Sequence, residues 1–168
     1  LQGFDNAAFL QACTLLITWE RQQAGGRPAG CKRKDMLELT LQEYLRVAPR
    51  LVEGARTAAR LLQRERVYDA RNLPYGTQLV PFAAICAALG KKAESDIVKR
   101  KLARWFWCGV FGELYGGATE TRFALDMTQV IAWAHDDDAE EPRTIADSTS
   151  DIIGVSSTRP SMDSLNPA

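Results

Sequence analysis

The most apolar run of the sequence is TQLVPFAAICAAL, from Thr77 to Leu89, and it indicates how the chain folds. It is apolar on nearly every side of a helix, a pattern typical of a helix inside a protein core. It is also too short to cross a bilayer, which takes about 20 residues. Pro81 falls in the first turn, where a missing N–H costs little, and Gly90 follows as a stop signal. The pattern predicts a buried central helix.

Further helical patterns lie on both sides of this stretch. Apolar residues recur every three or four positions in three more runs: Phe9 to Trp19, Leu41 to Leu62, and Val98 to Val110. The second run follows a capping box formed by Thr40 and Glu43, and Pro49 inside it predicts a kink or a break. Short helices are expected over 119–126 and 127–135. No segment shows the alternation of a β-strand, so the pattern predicts an all-α fold.

The net charge of zero conceals a division of the chain. Residues 136–168 contain eight acids and two bases, a balance of −6, which leaves residues 1–135 with +6. The acidic run is followed by a Ser/Thr/Pro-rich segment that cannot bury enough apolar surface to offset the entropy of ordering. We therefore expect one helical domain over 1–135, with four to six helices around the central one. Residues 136–168 are expected to form a polar acidic tail, with Ile152, Ile153 and Val155 as its candidates for docking.

Composition limits the classes of protein to consider. The chain has 168 residues, 46% hydrophobic and 25% charged, as in an ordinary globular domain. It has no apolar stretch long enough to cross a bilayer, so we expect no membrane association. Four cysteines without a CxxC pair and one histidine exclude the usual zinc spacings and favour a cytoplasmic protein. A start at Leu1 without an initiator Met indicates a fragment of a larger protein.

No set of catalytic side chains can be assembled from the sequence. A Ser or Cys nucleophile needs a base within hydrogen-bond reach, and the single histidine, His135, lies at the edge of the predicted domain. Gly90-Lys91 would need a glycine at position 85 to form a phosphate-binding loop, and Ile85 stands there. We therefore predict no catalytic residue, no metal ligands and no cofactor. Cys31 has basic neighbours, which predicts a lowered pKa for its thiol.

Two basic clusters are the candidate phosphate contacts. They are Lys32, Arg33 and Lys34, and Lys99, Arg100 and Lys101. A solvated basic surface without a ligand is the alternative for either cluster. Aromatic residues follow the second cluster, and Trp105 and Phe106 fall on the predicted buried face and are expected in the core. Trp107 is off that face and is the one candidate for stacking on a nucleic-acid base.

Three stretches show a family resemblance. They are CKRKD at 31–35, RNLPYGTQLVP at 71–81 and RWFWCGVFGELYGGATETRF at 104–123. Over residues 4–144 the chain resembles the central helical region of the GmrSD-type restriction endonuclease family. Members of this bacterial family have a ParB/sulfiredoxin-like N-terminal domain, and many add an HNH-type nuclease domain. The resemblance implies a piece of a DNA-targeting defence protein, in the type member one that cleaves DNA with modified cytosines in a nucleotide-dependent way.

The resemblance supplies no catalytic residue for this chain. The Asp-Gly-Gln-Gln-Arg type of motif of the N-terminal domain and any His-Asn-His arrangement are absent, and beyond Thr144 the sequence departs from the family. What it implies is a non-catalytic helical module that connects and orients the nuclease and nucleotide domains of the same polypeptide. Lys32, Arg33 and Lys34 would contact the DNA backbone phosphates. The alternative is a structural or protein–protein interaction domain without nucleic-acid contact.

Overall fold

In the computed structural model, the described residues form seven α-helices and three short 3-10 helices. It describes residues 4–117 and 119–154, without the side chains of Ala70 and residues 150–154, and this part has no strand. The α-helices are α1 (Asn6–Gln23), α2 (Arg33–Leu37), α3 (Leu41–Arg64), α4 (Leu79–Leu89), α5 (Asp96–Phe111), α6 (Glu120–His135) and α7 (Arg143–Gly154). The 3-10 helices are Ala70–Asn72, Gly76–Gln78 and Gly90–Glu94. The all-α prediction is confirmed, and α2 and α7 take the count beyond four to six.

The buried central helix is α4. Every residue from Leu79 to Leu89 except Ala88 is buried, and α1, α3 and α6 all pack against it. The chain enters α4 through the 3-10 turn at Gly76–Gln78, so the α-helix begins two residues later than Thr77. Gly90 ends it with a φ of +54°, a conformation that side-chain-bearing residues rarely adopt. Among the helices described, none is both long and apolar enough to span a bilayer.

The contact between α3 and α4 depends on a glycine. A Cβ atom at Gly54 would lie 2.5 Å from the carbonyl oxygen of Ala83 and 2.6 Å from the backbone nitrogen of Ala87. The two backbones therefore approach more closely than any other residue at 54 would allow. The predicted break at Pro49 is wrong, since α3 continues through it. Pro49 and Leu45 are both exposed, so water can bond the Leu45 carbonyl that loses its helical donor.

The start of α3 is fixed by the predicted capping box. The Thr40 backbone N–H and hydroxyl donate to Glu43 Oε2 at 3.1 and 2.7 Å, and the Glu43 N–H donates to Thr40 Oγ1 at 3.3 Å. Arg21 of α1 donates to Glu43 Oε1 at 2.6 Å. Although partial burial raises the pKa of Glu43, hydrogen bonds from Thr40 and Arg21 lower it to about 2. The same carboxylate thus caps one helix and ties it to another.

A buried carboxylate joins α5, α6 and α7. Asp126 Oδ1 accepts hydrogen bonds from Trp105 Nε1 at 3.1 Å and from the Thr144 hydroxyl at 2.6 Å, and Oδ2 accepts one from the Tyr115 hydroxyl at 2.5 Å. Burial raises the pKa of Asp126, although these three donors act in the opposite direction. The confirmed core residue Trp105 is therefore hydrogen-bonded as well as packed, as a buried indole N–H requires.

The prediction of a tail from residue 136 is wrong over α7. Thr144, Ile145 and Ser148 are buried, and α7 packs against α5 and α6. Polar contacts secure much of this docking, because Arg122 donates to Thr144 Oγ1 at 3.1 Å and pairs with Asp147 at 2.9 Å. A pattern of apolar residues could not show such contacts. Residues 155–168, including Val155, and the side chains of Ile152 and Ile153 lie outside the described residues.

The expectation of two short helices at 119–126 and 127–135 is also wrong. A single helix, α6, extends from Glu120 to His135 and buries Phe123, Met127, Val130 and Ile131 along one side. The intervals between these residues are four, three and one positions, which places all of them on one continuous helical face. The apolar pattern therefore continues across the boundary that was placed between residues 126 and 127.

Candidate nucleic-acid interface

The first basic cluster lies at the start of α2. Lys32 is the residue before the helix, and Arg33 and Lys34 occupy its first turn. All three are exposed, and none has an ion pair within the described part of the chain. The Lys32 backbone N–H donates to Asp35 Oδ2 at 2.9 Å, which fixes the start of the helix. The cluster is thus a set of adjacent cations on an ordered turn.

The segment before the cluster is anchored to α1. The Gly30 N–H donates to Thr18 Oγ1 at 3.0 Å, and the Thr18 hydroxyl lies 2.7 Å from the Gly30 carbonyl oxygen. Cys31 is fully buried in the core. Burial raises the pKa of its thiol to about 12, so the prediction of a lowered pKa is wrong. Because the side chain enters the core, desolvation outweighs the effect of Lys32 beside it.

A cleft of about 680 Å³ opens beside the cluster, between the loop at 26–35 and the first turns of α6. Lys32 and Lys34 line it, together with Arg21 and Arg27. Arg21 pairs with Glu43 at 2.6 Å and Arg27 pairs with Glu38. Lys32 and Lys34 are therefore the cations of the cleft that keep their charge free for a ligand.

The opposite wall of the cleft is the N-terminal end of α6. Glu120, Thr121 and Ala124 line it, and Thr119 before the helix makes no side-chain cap bond. The first backbone N–H groups of a helix have no intrahelical acceptor and attract negative charge. Glu120 and Asp35 also line the cleft and oppose an anion there. The cleft therefore combines the two unpaired cations with two acidic side chains.

The second basic cluster does not form one surface. Lys101 Nζ donates to the Trp133 carbonyl oxygen at 2.5 Å and to Asp137 Oδ1 at 2.7 Å, so it binds the C-terminal end of α6. Its side chain is 13% exposed. Lys99 Nζ lies 3.4 Å from Glu94 Oε2 and forms an ion pair with it. Of the three residues of this cluster, only Arg100 is exposed and has no ion pair with another described residue.

The aromatic residues after the second cluster divide between core and surface. Trp105 and Phe106 are buried, as predicted, and so is Tyr115. Trp107 is half-buried and stacks on Phe111, with ring centroids 5.6 Å apart and 23° between the planes. Phe111 is 70% exposed. Phe111 is not among the residues predicted from the sequence, although its position four residues after Trp107 on one helix indicates that the two rings are neighbours.

Part of the apolar run from Leu41 to Leu62, and Leu37 before it, lies on the surface. Leu41 and Leu45 of α3 are 71% and 61% exposed, and Leu37 at the end of α2 is 79% exposed. Farther along the same helix, Leu51, Ala58 and Leu62 form the buried face. The first turns of α3 also reach the core, since Tyr44 packs against it, but Leu41 and Leu45 lie on another side of the helix.

His135 lies at the end of α6, beside the 3-10 helix Gly90–Glu94. Lys92 donates to His135 Nδ1 at 2.9 Å and to its carbonyl oxygen at 3.2 Å. The carboxylate of Asp137, two residues after His135, accepts a hydrogen bond from Lys101. Across residues 4–117 and 119–154, no three His, Cys, Asp or Glu side chains are grouped so as to hold a metal ion.

Comparisons of the chain with protein-family models, with curated proteins and with solved structures each find no match. The resemblance to the GmrSD-type family therefore depends on the stretches at 31–35, 71–81 and 104–123 alone.

Proposed function

We propose that this chain is a non-catalytic helical module of a DNA-targeting restriction or defence protein. It connects and orients nuclease and nucleotide domains of a larger polypeptide, and it contacts DNA backbone phosphates through Lys32, Arg33 and Lys34. One observation supports this proposal best: three adjacent cations lie exposed on an anchored turn, with no ion pair among the described residues. The restriction context rests on the resemblance of residues 71–81 and 104–123.

The charge environment of the turn favours phosphate as its ligand. Many arginines of this protein pair with a carboxylate, as Arg60 does with Glu94 and Arg71 with Asp69, both at 2.6 Å. Adjacent cations without such partners repel one another, and a row of phosphates relieves that repulsion while releasing the counterions of the DNA. The anchoring of residues 30 and 31 reduces the entropy lost on binding, because the turn is already ordered.

The test is duplex DNA binding, measured by fluorescence anisotropy at about 50 mM salt. One variant reverses the charges at Lys32, Arg33 and Lys34 by substitution with Glu. A matched control reverses three exposed charges outside the cleft, at Arg56, Arg71 and Lys91, so both variants have the same net charge. We expect the first variant to weaken binding more than about ten-fold relative to the control. Equal weakening by the two variants would show that net charge, and not this turn, binds the DNA.

The exposed apolar residues support a second candidate function, a protein-interaction domain. Leu37, Leu41 and Leu45 are each more than 60% exposed and follow the basic turn closely in the sequence. Exposed apolar residues that form one patch are typical of interfaces. The space at Gly109, by contrast, is filled within the chain, because a Cβ there would lie 2.5 Å from both Gln78 and Tyr115. Sedimentation velocity distinguishes the candidates. Concentration-dependent association that is lost in a Leu41→Ser, Leu45→Ser variant would favour the interaction domain.

A further inference from the structure

The solvent-facing side of α5 combines two arginines with two aromatic rings. Arg100, Arg104, Trp107 and Phe111 follow one another at intervals of four, three and four residues, which places them in a line on one face of a helix. The opposite face contains the buried residues, among them Leu102, Trp105 and Gly109. From Arg100 to Phe111 the line extends about 16 Å along the helix axis.

The aromatic end of this line is an ordered platform. Trp107 Nε1 donates to Glu65 Oε2 at 3.0 Å, and the indole also packs edge-on against buried Phe106 with centroids 5.7 Å apart. These contacts orient Trp107, and Phe111 stacks on it. Since Phe111 is 70% exposed, one face of its ring is covered by Trp107 and the other is open to a ligand.

A cationic groove leads to the platform. It has a volume of about 170 Å³, lies between α3 and α5, and is lined by Arg64, Lys99, Arg100 and Glu65. Arg64 and Lys99 pair with neighbouring carboxylates at 3.8 and 3.4 Å, which leaves Arg100 as the lining cation without an ion pair among the described residues. Because Glu65 also accepts the hydrogen bond from Trp107, groove and aromatic pair are contiguous. Arg104 pairs with Glu141 at 2.5 Å, so the surface offers the free guanidinium of Arg100 at one end and a flat π face at the other.

We propose that this face of α5 binds single-stranded nucleic acid, with the phosphates in the groove and an unpaired base stacked on Phe111. A strand matches both halves of the surface, because it combines negative charge with flat aromatic groups. An apolar protein surface would match the rings but would desolvate Arg100 without pairing it. A duplex hides the faces of its bases, so this site differs in ligand from the duplex contact at Lys32, Arg33 and Lys34.

The experiment measures anisotropy of a labelled oligothymidine of about 16 nucleotides and of an abasic strand of the same length, at about 50 mM salt. We expect Phe111→Ala to weaken oligothymidine binding at least about five-fold, since stacking contributes about that much or more per base. Phe111→Tyr should retain the affinity. Val52→Ala, an exposed apolar position about 18 Å along α3 from Arg64, should also retain it. The abasic strand should bind more weakly and equally to the wild-type protein and to Phe111→Ala.

Three results would overturn the proposal. The first is no binding of oligothymidine by the wild-type protein, and the second is equal affinity for the two strands. The third is self-association that Phe111→Ala abolishes without any strand binding, which would make the face a protein interface. The variant with Glu at 32–34 separates this site from the duplex contact, because it should lose duplex binding and keep oligothymidine binding. Far-UV circular dichroism verifies that each variant is folded.

Discussion

Replacement of Asp126 by alanine should strongly destabilise the fold. Its carboxylate accepts hydrogen bonds from Trp105, Tyr115 and Thr144, all of them buried. Alanine leaves three donors without an acceptor, and each buried unsatisfied donor costs about 1–3 kcal/mol. Removal of a buried carboxyl group offsets part of this cost. We therefore expect the free energy of unfolding to fall by about 3–5 kcal/mol, the lower part of the summed cost of the three donors.

Urea denaturation followed by far-UV circular dichroism at neutral pH measures this loss. Asp126→Asn keeps one acceptor oxygen and should lose less stability than Asp126→Ala. Asp138→Ala is the matched control, because Asp138 is exposed and surface substitutions change stability by less than about 0.5 kcal/mol. A loss of less than about 1 kcal/mol in the free energy of unfolding of Asp126→Ala would contradict this prediction, because it would mean that the three donors find other acceptors.

The pH dependence of the Asp126 effect has a definite sign. Burial raises the pKa of Asp126 in the folded protein above its ordinary value of 3.8. The folded state therefore binds a proton at this carboxyl more readily than the unfolded state does. As the pH falls from neutrality through the raised pKa, the wild-type protein gains stability relative to Asp126→Ala. Titration of the urea midpoints of both proteins checks this, and a difference that shrinks on acidification would contradict it.

Three further predictions concern packing, charge and thiol burial. Gly54→Ala should lower the free energy of unfolding by about 1–3 kcal/mol, because its methyl group would force α3 away from α4, even though alanine is the better helix former. Gly76→Ala is the control, since the space around Gly76 is open, and should change this free energy by less than about 0.5 kcal/mol. Urea denaturation midpoints of the two variants measure the difference. Glu43→Gln should lose on the order of 1 kcal/mol at neutral pH. Because the pKa of Glu43 is lowered from 4.5 to about 2, that difference should vanish as the pH falls through this interval, and a constant difference would be inconsistent with it. The Cys31 thiol, with a pKa of about 12, should resist alkylation until urea unfolds the protein; rapid labelling of the folded state, mapped by mass spectrometry, would show it to be accessible.

The parts of the fold that depend on apolar periodicity were predictable from the sequence. The run from Leu79 to Leu89 is apolar on all sides, and such a helix has no alternative but the core. Trp105 and Phe106 followed from the same spacing rule. The surface position of Leu41 and Leu45 did not follow, because the apolar residues of α3 occupy more than one side of the helix and only tertiary packing selects the buried one.

Features that depend on long-range polar contacts could not be predicted. The docking of α7 relies on Thr144 meeting Asp126 and on Asp147 meeting Arg122, and nothing in the local sequence of a Ser/Thr-rich segment indicates such partners. The same reason separates Lys101 from its neighbours in sequence, because the C-terminal end of α6 binds its ammonium group. The candidate site was predictable at 32–34, where adjacent residues on one turn keep their proximity in any fold.

The salt dependence of duplex DNA binding shows whether Lys32, Arg33 and Lys34 contact phosphates. Each phosphate contact made by a cation contributes about 0.9 to the slope of log K against log salt concentration. Replacement of Lys32, Arg33 and Lys34 by Gln removes three cations without adding repulsion. The slope should therefore decrease in magnitude by about 2–3. A slope identical to that of the wild-type protein would show that these three side chains do not contact the phosphates.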